Sequence, residues 1–325
     1  MTRIRAVLEG IGGYLPERVM GNDELARRVA TTDAWIVERT GIRQRHIAGP
    51  HETAGFMGAR AAQAALAKAG ATAGDVDCIV LATSTPDEAF PATALRVQAA
   101  LGVKRGFGFD VSAACSGFVY ALGIADSLIQ TRQAHGVLVI GSEVFSRILD
   151  WSDRGTCVLF GDGAGAVFLR AGEGEGTGAD RGVLSTHLHA QGDLGDLLYV
   201  DGAVGQPERT GQLRMNGREI FRHAVAKLSA AVDEALAAND LRQADIDWLV
   251  PHQANIRIID AMGRKLGLAP GRVVVTVDRH ANTSAASIPL AMADADVDGR
   301  LQRGDLVVLE ALGGGLTWGS AVVRL

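Results

Sequence analysis

The chain has 325 residues, 47% of them hydrophobic and 21% charged, with a formal net charge of −5. That balance excludes a disordered chain and a general nucleic-acid-binding surface, while leaving room for a local basic patch that holds a phosphorylated ligand. The opening Met-Thr-Arg-Ile-Arg lacks the apolar run of a signal peptide or anchor. No window reaches the ~20 apolar residues of a bilayer span. The three cysteines (Cys78, Cys115, Cys157) lack metal-type spacing and fit reduced thiols in a cytoplasm.

In chain order, an Ala-rich stretch at 54–70 predicts a helix packed closely on a sheet, followed by an acidic turn at Asp75 and Asp77 and a short apolar strand from Cys78. A β-type run ends near Val111, small residues make a turn, and a helix covers Gly117 to Gln130. The run Gly136–Ile140 reads as a third strand, and Gly161–Arg170 as a hairpin-like end. Beyond the glycine-rich segment Gly172–Asp180, the same order returns. A helix at 217–239 leads to an acidic turn at Asp245 and Asp247, then a strand to Val250. A helix at Ser284–Ala295, a strand at Asp305–Leu309 and a hairpin-like end at Gly315–Leu325 complete it.

Three segment pairs carry this repeat: Asp75 with Asp245, Asp110 with Asp278, and Gly136 with Asp305, at offsets of 170, 168 and 169. Strands alternating with helices argue for α/β layers. Two stacked halves, residues 1–172 and 173–325, predict a five-layer α-β-α-β-α sandwich with pseudo-twofold symmetry.

The chemistry gathers at turns of this repeat. Cys115 stands at the start of a helix, where the macrodipole and free N–H groups favour a thiolate; a buried core cysteine is the other reading. His252 follows the strand ending at Val250, a position where sites of α/β folds form, although a lone histidine also serves structure. Asn282 falls within a residue or two of Cys115 by the repeat, and also suits a helix N-cap. The turn Gly313-Gly314-Gly315 can aim a backbone N–H at an oxyanion, or simply supply positive φ. Gly161-Asp-Gly-Ala-Gly leads into a strand rather than a helix, so it fails as a dinucleotide fingerprint. His187 and His189 share one strand face, but no cysteine or carboxylate partner is evident, and no metal is expected.

These segments together resemble the β-ketoacyl-acyl carrier protein synthase III family, of the thiolase superfamily, almost end to end. The resemblance is carried by Trp35–His46, Asp110–Gly117, Asp153–Thr156 with Phe160–Gly165, Pro251–Arg257, Asp278–Ser287 and Gly313–Gly319. It implies a thiolase-like five-layer fold, a homodimer, and decarboxylative condensation of an acyl-coenzyme A primer with malonyl-acyl carrier protein. It needs no cofactor beyond these substrates. Cys115 would carry the acyl group, and His252 and Asn282 would hydrogen-bond the malonyl thioester carbonyl. Gly314 with the Cys115 N–H would form the oxyanion hole. Thr31, Trp35, Arg39 and Arg154 would hold coenzyme A; the other reading is a core Trp with solvated arginines. Arg222, Arg257 and Arg218 would meet the carrier protein, and Phe90, Phe145 and Leu312 would shape the primer pocket, Phe90 in the partner subunit.

The sequence departs from the family pattern at Leu312, Ala281, Arg222 and Ser116, where an aromatic, Gly, Lys and Ala are common. A thiolase-fold polyketide or quinolone-type synthase, or an acyltransferase of specialised metabolism, would use the same Cys-His-Asn set. A cysteine hydrolase shares the chain order Cys…His…Asn but not this repeat, and an acyl-binding scaffold would leave Cys115 unmodified.

Overall fold

The structure is a computed structural model that describes residues 3–202 and 208–325. The first half runs β1 (Arg3–Tyr14), β2 (Val19–Gly21), α1 (Asn22–Leu25), α2 (Asp33–Thr40), β3 (Gln44–His46) and α3 (Ala54–Lys68). It continues with β4 (Cys78–Ala82), α4 (Thr93–Leu101), β5 (Phe107–Val111), α5 (Gly117–Gln130), β6 (Gly136–Val144), α6 (Arg154–Cys157) and β7 (Asp162–Gly174). After the connecting segment come β8 (Gly182–Ala190), β9 (Leu198–Val200), β10 (Leu213–Met215), α7 (Gly217–Ala237), β11 (Trp248–Pro251) and α8 (Ile256–Lys265). The chain closes with α9 (Val277–His280), α10 (Ser287–Val297), β12 (Leu306–Gly313) and β13 (Thr317–Arg324).

Each half supplies one large sheet. The first has the order β1-β7-β6-β4-β5 and the second β8-β13-β12-β11. Both begin with two antiparallel pairings and continue parallel, so β1 answers to β8, β7 to β13, β6 to β12 and β4 to β11. Helices α3 and α4 cover one outer face and α7 with α8 the other, while α5 and α10 lie between the sheets. That is the expected five-layer sandwich. The central core joins Phe118 and Leu122 of α5, Ile288 and Met292 of α10, and Val139 and Val307 of the two sheets. Strand β4, Cys-Ile-Val-Leu-Ala, is buried throughout, as a parallel strand covered on both faces must be.

The repeated acidic turns are backbone caps. Asp75 accepts from the Thr72 N–H and Asp245 from the Arg242 N–H, each closing a short 3-10 turn before its strand. Asp77 and Asp247 then accept from the first N–H groups of β6 and β12. Each carboxylate satisfies donors that a strand start would otherwise leave open.

One part of the repeat does not hold as read. Asp110 lies in β5, whereas Asp278 lies in the short helix α9. The structurally equivalent 3-10 turns are 114–116 and 284–286, so the offset there is 170 and Asn282 answers to Ser112. The counterpart of β5 shrinks to a single parallel bridge between Leu249 and Val273. The Gln253 side chain takes over the ladder: its amide donates to the Val274 carbonyl and accepts from the N–H groups of Thr276 and Val277. With those groups satisfied by a side chain, the segment turns into α9 instead of extending the sheet.

The halves join through glycine. A Cβ on Gly141 of β6 would sit 2.2 Å from the Ala285 carbonyl oxygen, and one on Gly165 of β7 would sit 2.6 Å from the Leu290 nitrogen. The loop that links the halves is pinned by Asp180, which accepts from the Glu175 and Gly176 N–H groups and, at 2.9 Å, from buried Arg5. Overpacking of this kind costs about 1–3 kcal/mol. Gly141→Ala is therefore expected to lower stability by at least ~2 kcal/mol, read as a lower urea midpoint; a midpoint within error of wild type would show that the turn can retreat.

Candidate active site

Cys115 sits in the 3-10 turn that precedes α5, and it is 4% exposed. It forms the floor of a cavity of about 360 Å³ lined by Ser84, Phe145, Phe160, Leu198, Leu213 and Gly314 among others. Phe145 and Phe160 stack with centroids 4.9 Å apart and form one apolar wall. The glycine turn between β12 and β13 is pressed onto the nucleophile: a Cβ on Gly313 would lie 2.5 Å from the Cys115 nitrogen. Ser116, a departure from the family pattern, adds a tie to that turn, its Oγ standing 2.6 Å from Thr317 Oγ1.

The surroundings of the sulfur favour the thiol over the thiolate. Burial pushes Cys115 up to about 12, and the neighbouring Glu143 carboxyl acts in the same direction. Desolvation of the sulfur outweighs the partial positive charge of the helix start, which by itself would favour a thiolate. Glu143 is itself buried, held by the Ser84 N–H at 3.0 Å and the Thr85 hydroxyl at 2.7 Å, and burial pushes it up to about 7.

His252 follows β11 and is buried, and burial holds its imidazole neutral, down at about 3. Its Nδ1 lies 2.6 Å from the Ser287 hydroxyl. His252, Leu312 and Glu310 share a second cavity of about 30 Å³ with residues of α7 and α8. Leu312 lies beside His252 in this second cavity, on the same face of β12 as Glu310 by strand alternation. Glu310 has a carboxyl oxygen with no hydrogen-bond partner among the described residues, and burial pushes it up to about 8.

Asn282 is 6% exposed and lies against Phe160, bridged to it in parallel register. Its Oδ1 accepts from the Ser284 N–H at 2.8 Å. A backbone N–H can only donate, so the amide orientation is fixed and Nδ2 is the end left to act as donor. Ala281, just before it, has φ +58°. That region costs an L-residue about 1–3 kcal/mol, which is the reason Gly is common there.

The remaining expected residues lie apart from the cavity. Trp35 on α2 is in cation-π contact with both Arg39, 4.7 Å from the ring centroid, and Arg154, 4.6 Å away. At such contact no base fits between Trp35 and Arg154 until the arginine swings out. Thr31 stands nearby with its hydroxyl buried and unpartnered among the described residues. Arg222 on α7 is exposed and pairs with Glu219, and Arg257 on α8 reaches the Glu38 carbonyl on α2. Phe90 is 86% exposed and outside its own chain's cavity. His187 and His189 do have a carboxylate partner: Glu234 of α7 accepts from them at 3.1 and 2.7 Å. Among the described residues no three His, Cys, Asp or Glu side chains gather as a metal site requires, and no helix is long and apolar enough to cross a membrane.

Sequence reasoning missed Glu143, Glu310 and Ser287. The two glutamates had a signal, each being a lone charge inside an apolar strand run; Ser287 had none, because its partner is 35 residues away.

Two expectations follow. Iodoacetamide labelling of Cys115, read by peptide mass, should rise with pH through pH 9 without levelling near neutrality, since a raised pKa keeps the thiol protonated there. A plateau near pH 7 would mean a resting thiolate. Ala281→Gly should raise the unfolding free energy by about 1 kcal/mol, the relieved strain less the ~0.5–1 kcal/mol that glycine loses in chain entropy; an unchanged or lower urea midpoint would count against strain at Ala281.

Comparison with known proteins agrees with this architecture. The pattern of 3-oxoacyl-[acyl-carrier-protein] synthase III matches residues 109–192, and that of its C-terminal part matches residues 236–325. The chain is 69% identical over 320 residues to a beta-ketoacyl-[acyl-carrier-protein] synthase III of Acidiphilium cryptum, covering 98% of this chain and 99% of that one. It is 66% identical to the protein of that name from Granulibacter bethesdensis, with 99% of each covered. Among solved structures, the synthase III of Pseudomonas aeruginosa is 46% identical with a TM-score of 0.92, covering 98% of each chain. The priming β-ketosynthase of a polyketide biosynthetic pathway is 33% identical with a TM-score of 0.93, covering 99% of this chain and 97% of that one. On the strength of the full-length identities, the chain belongs to the β-ketoacyl-acyl carrier protein synthase III family.

Proposed function

We propose that this protein condenses an acyl-coenzyme A primer with malonyl-acyl carrier protein, giving 3-ketoacyl-acyl carrier protein, free coenzyme A and carbon dioxide, and so initiates fatty acid synthesis. The observation that carries this reading is the apolar cavity in which Cys115 lies beneath the glycine turn of the other half. In the first step the Cys115 sulfur forms the acyl thioester and the coenzyme A sulfur leaves, taking up the thiol proton. Covalent capture of this kind divides one difficult transfer into two. The Cys115 N–H and Gly314 serve the oxyanion of each tetrahedral intermediate.

In the second step the malonyl carboxylate departs as carbon dioxide. Its bonding electrons pass into an enolate whose oxygen accepts from His252 and Asn282. The enolate carbon attacks the acyl thioester, and the expelled Cys115 sulfur regains a proton. A buried neutral imidazole and an amide whose oxygen is already engaged both suit the donor role. Phe145 lines the primer side of the cavity. Leu312, which packs beside His252, is assigned with Phe90 and Phe145 to shaping the primer pocket.

Coenzyme A is assigned to Thr31, Trp35, Arg39 and Arg154, with Arg154 releasing Trp35 to admit the base. The acidic carrier protein is assigned to Arg222, Arg257 and Arg218. A homodimer, with exposed Phe90 reaching the partner's primer pocket, accounts for an aromatic ring that is otherwise left in solvent. The chain needs no cofactor beyond its substrates and works in the cytoplasm. We assign the seam between the halves to residues 172 and 173, within the last residues of β7.

Intact-protein mass after mixing with a panel of acyl-coenzyme A primers tests the first step. Wild type should gain the mass of the acyl group and Cys115→Ser should not. No adduct with any primer from acetyl to long chain would overturn the reading. Replacing His252 or Asn282 by Ala should slow condensation by about 10²–10³ while acylation of Cys115 persists.

A further inference from the structure

We infer that the Ser287 hydroxyl is a positioning residue that holds His252 in the tautomer with its proton on Nε2, aimed as a donor at the substrate carbonyl. Ser287 is the first residue of α10 and is 2% exposed. Its Oγ has two neighbours: His252 Nδ1 at 2.6 Å and the Gln253 backbone N–H at 3.3 Å. The Gln253 group can only donate and so occupies one lone pair of the hydroxyl.

If Nδ1 also carried a proton, Ser287 would accept twice, and its own hydrogen would have no acceptor among the described residues. A buried hydroxyl left in that state is disfavoured. If the hydroxyl donates to a bare Nδ1, every group in the cluster is satisfied, and the ring proton must then sit on Nε2. The frame around this choice is rigid. The Gln253 side chain is itself locked by donation to the Pro251 and Val274 carbonyls, and the His252 backbone N–H donates to the Glu310 backbone carbonyl at 2.8 Å.

Depth of burial keeps the imidazole neutral, so tautomer choice is not erased by double protonation. The Glu310 carboxyl, which shares the small cavity, is pushed toward its neutral form by burial, which weakens any pull toward a second proton on the ring. The outcome parallels Asn282, where the Ser284 N–H occupies the acceptor end and leaves the donor end free. Two unrelated side chains are thus turned, each by a serine of one turn-helix segment, to present N–H.

This inference rests on the reading of His252 as a donor in condensation, and its test is chosen to fail separately from it. Nitrogen NMR of histidine-labelled, unliganded wild type, with the His252 signals identified by their loss in His252→Gln, should show a protonated Nε2 and an unprotonated Nδ1. A proton on Nδ1 in wild type overturns the inference without reference to any variant. In Ser287→Ala the ring should shift toward a mixture of tautomers, and kcat for condensation should fall by roughly 10-fold or more with KM little changed, a loss of transition-state stabilisation rather than of binding. Ser287→Thr, which keeps the hydroxyl, should restore both the nitrogen signature and the rate. An unchanged tautomer in Ser287→Ala overturns the inference whatever the rate. Unimpaired condensation by His252→Ala would instead overturn the donor reading and leave the tautomer result standing.

Discussion

The structure depends on how closely the segment Asn282–Leu290 can be pressed onto strands of the other half. At Gly141 and Gly165 the approach is backbone to backbone, with no room for even one methyl group. That contact sets the distance between the 114–116 and 284–286 turns, and it is these turns that present Cys115 and the neighbours of Asn282. Gly313 makes the same approach from β12 onto the Cys115 nitrogen. Small residues here are the geometry of the site, since each added carbon would move a catalytic group rather than fill a void.

Close packing also buries the ionisable groups of the site, and that burial sets their protonation preferences. Burial pushes Cys115 toward its thiol, His252 toward neutral imidazole, and Glu143 and Glu310 toward their protonated forms. A site of this kind stabilises developing charge with oriented dipoles rather than fixed ions. Orientation is supplied by hydrogen bonds that use up the wrong end of each group, Ser284 N–H on Asn282 and Ser287 on His252. Strain enters at Ala281, whose positive φ turns the chain into Asn282 without the glycine that the position favours.

Much of the fold was legible in the chain. The helices at 54–68, 117–130 and 217–237, and the strands from Cys78, Gly136 and Leu306, follow from apolar period and turn residues alone. The acidic turns were legible as a repeat, and their reason is capping of the strand that follows. Legibility failed at Asp278 because a side chain, Gln253, replaced a strand partner, and no local pattern announces such a substitution. At Leu312 the sequence names the strand but not the cavity that each of its faces lines.

The sequence by itself determined the family, the layered architecture, and the residue types of the site, because these are carried by local periodicity and by motifs contiguous in the chain. Only the tertiary structure decided the protonation of Cys115, the packing of Leu312, the contact of Arg154 with Trp35 and the partner of the His252 ring. Each of those depends on burial or on groups far apart in the chain, such as His252 and Ser287. Desolvation and hydrogen-bond direction are properties of a three-dimensional surround, and a linear order of residues does not contain them.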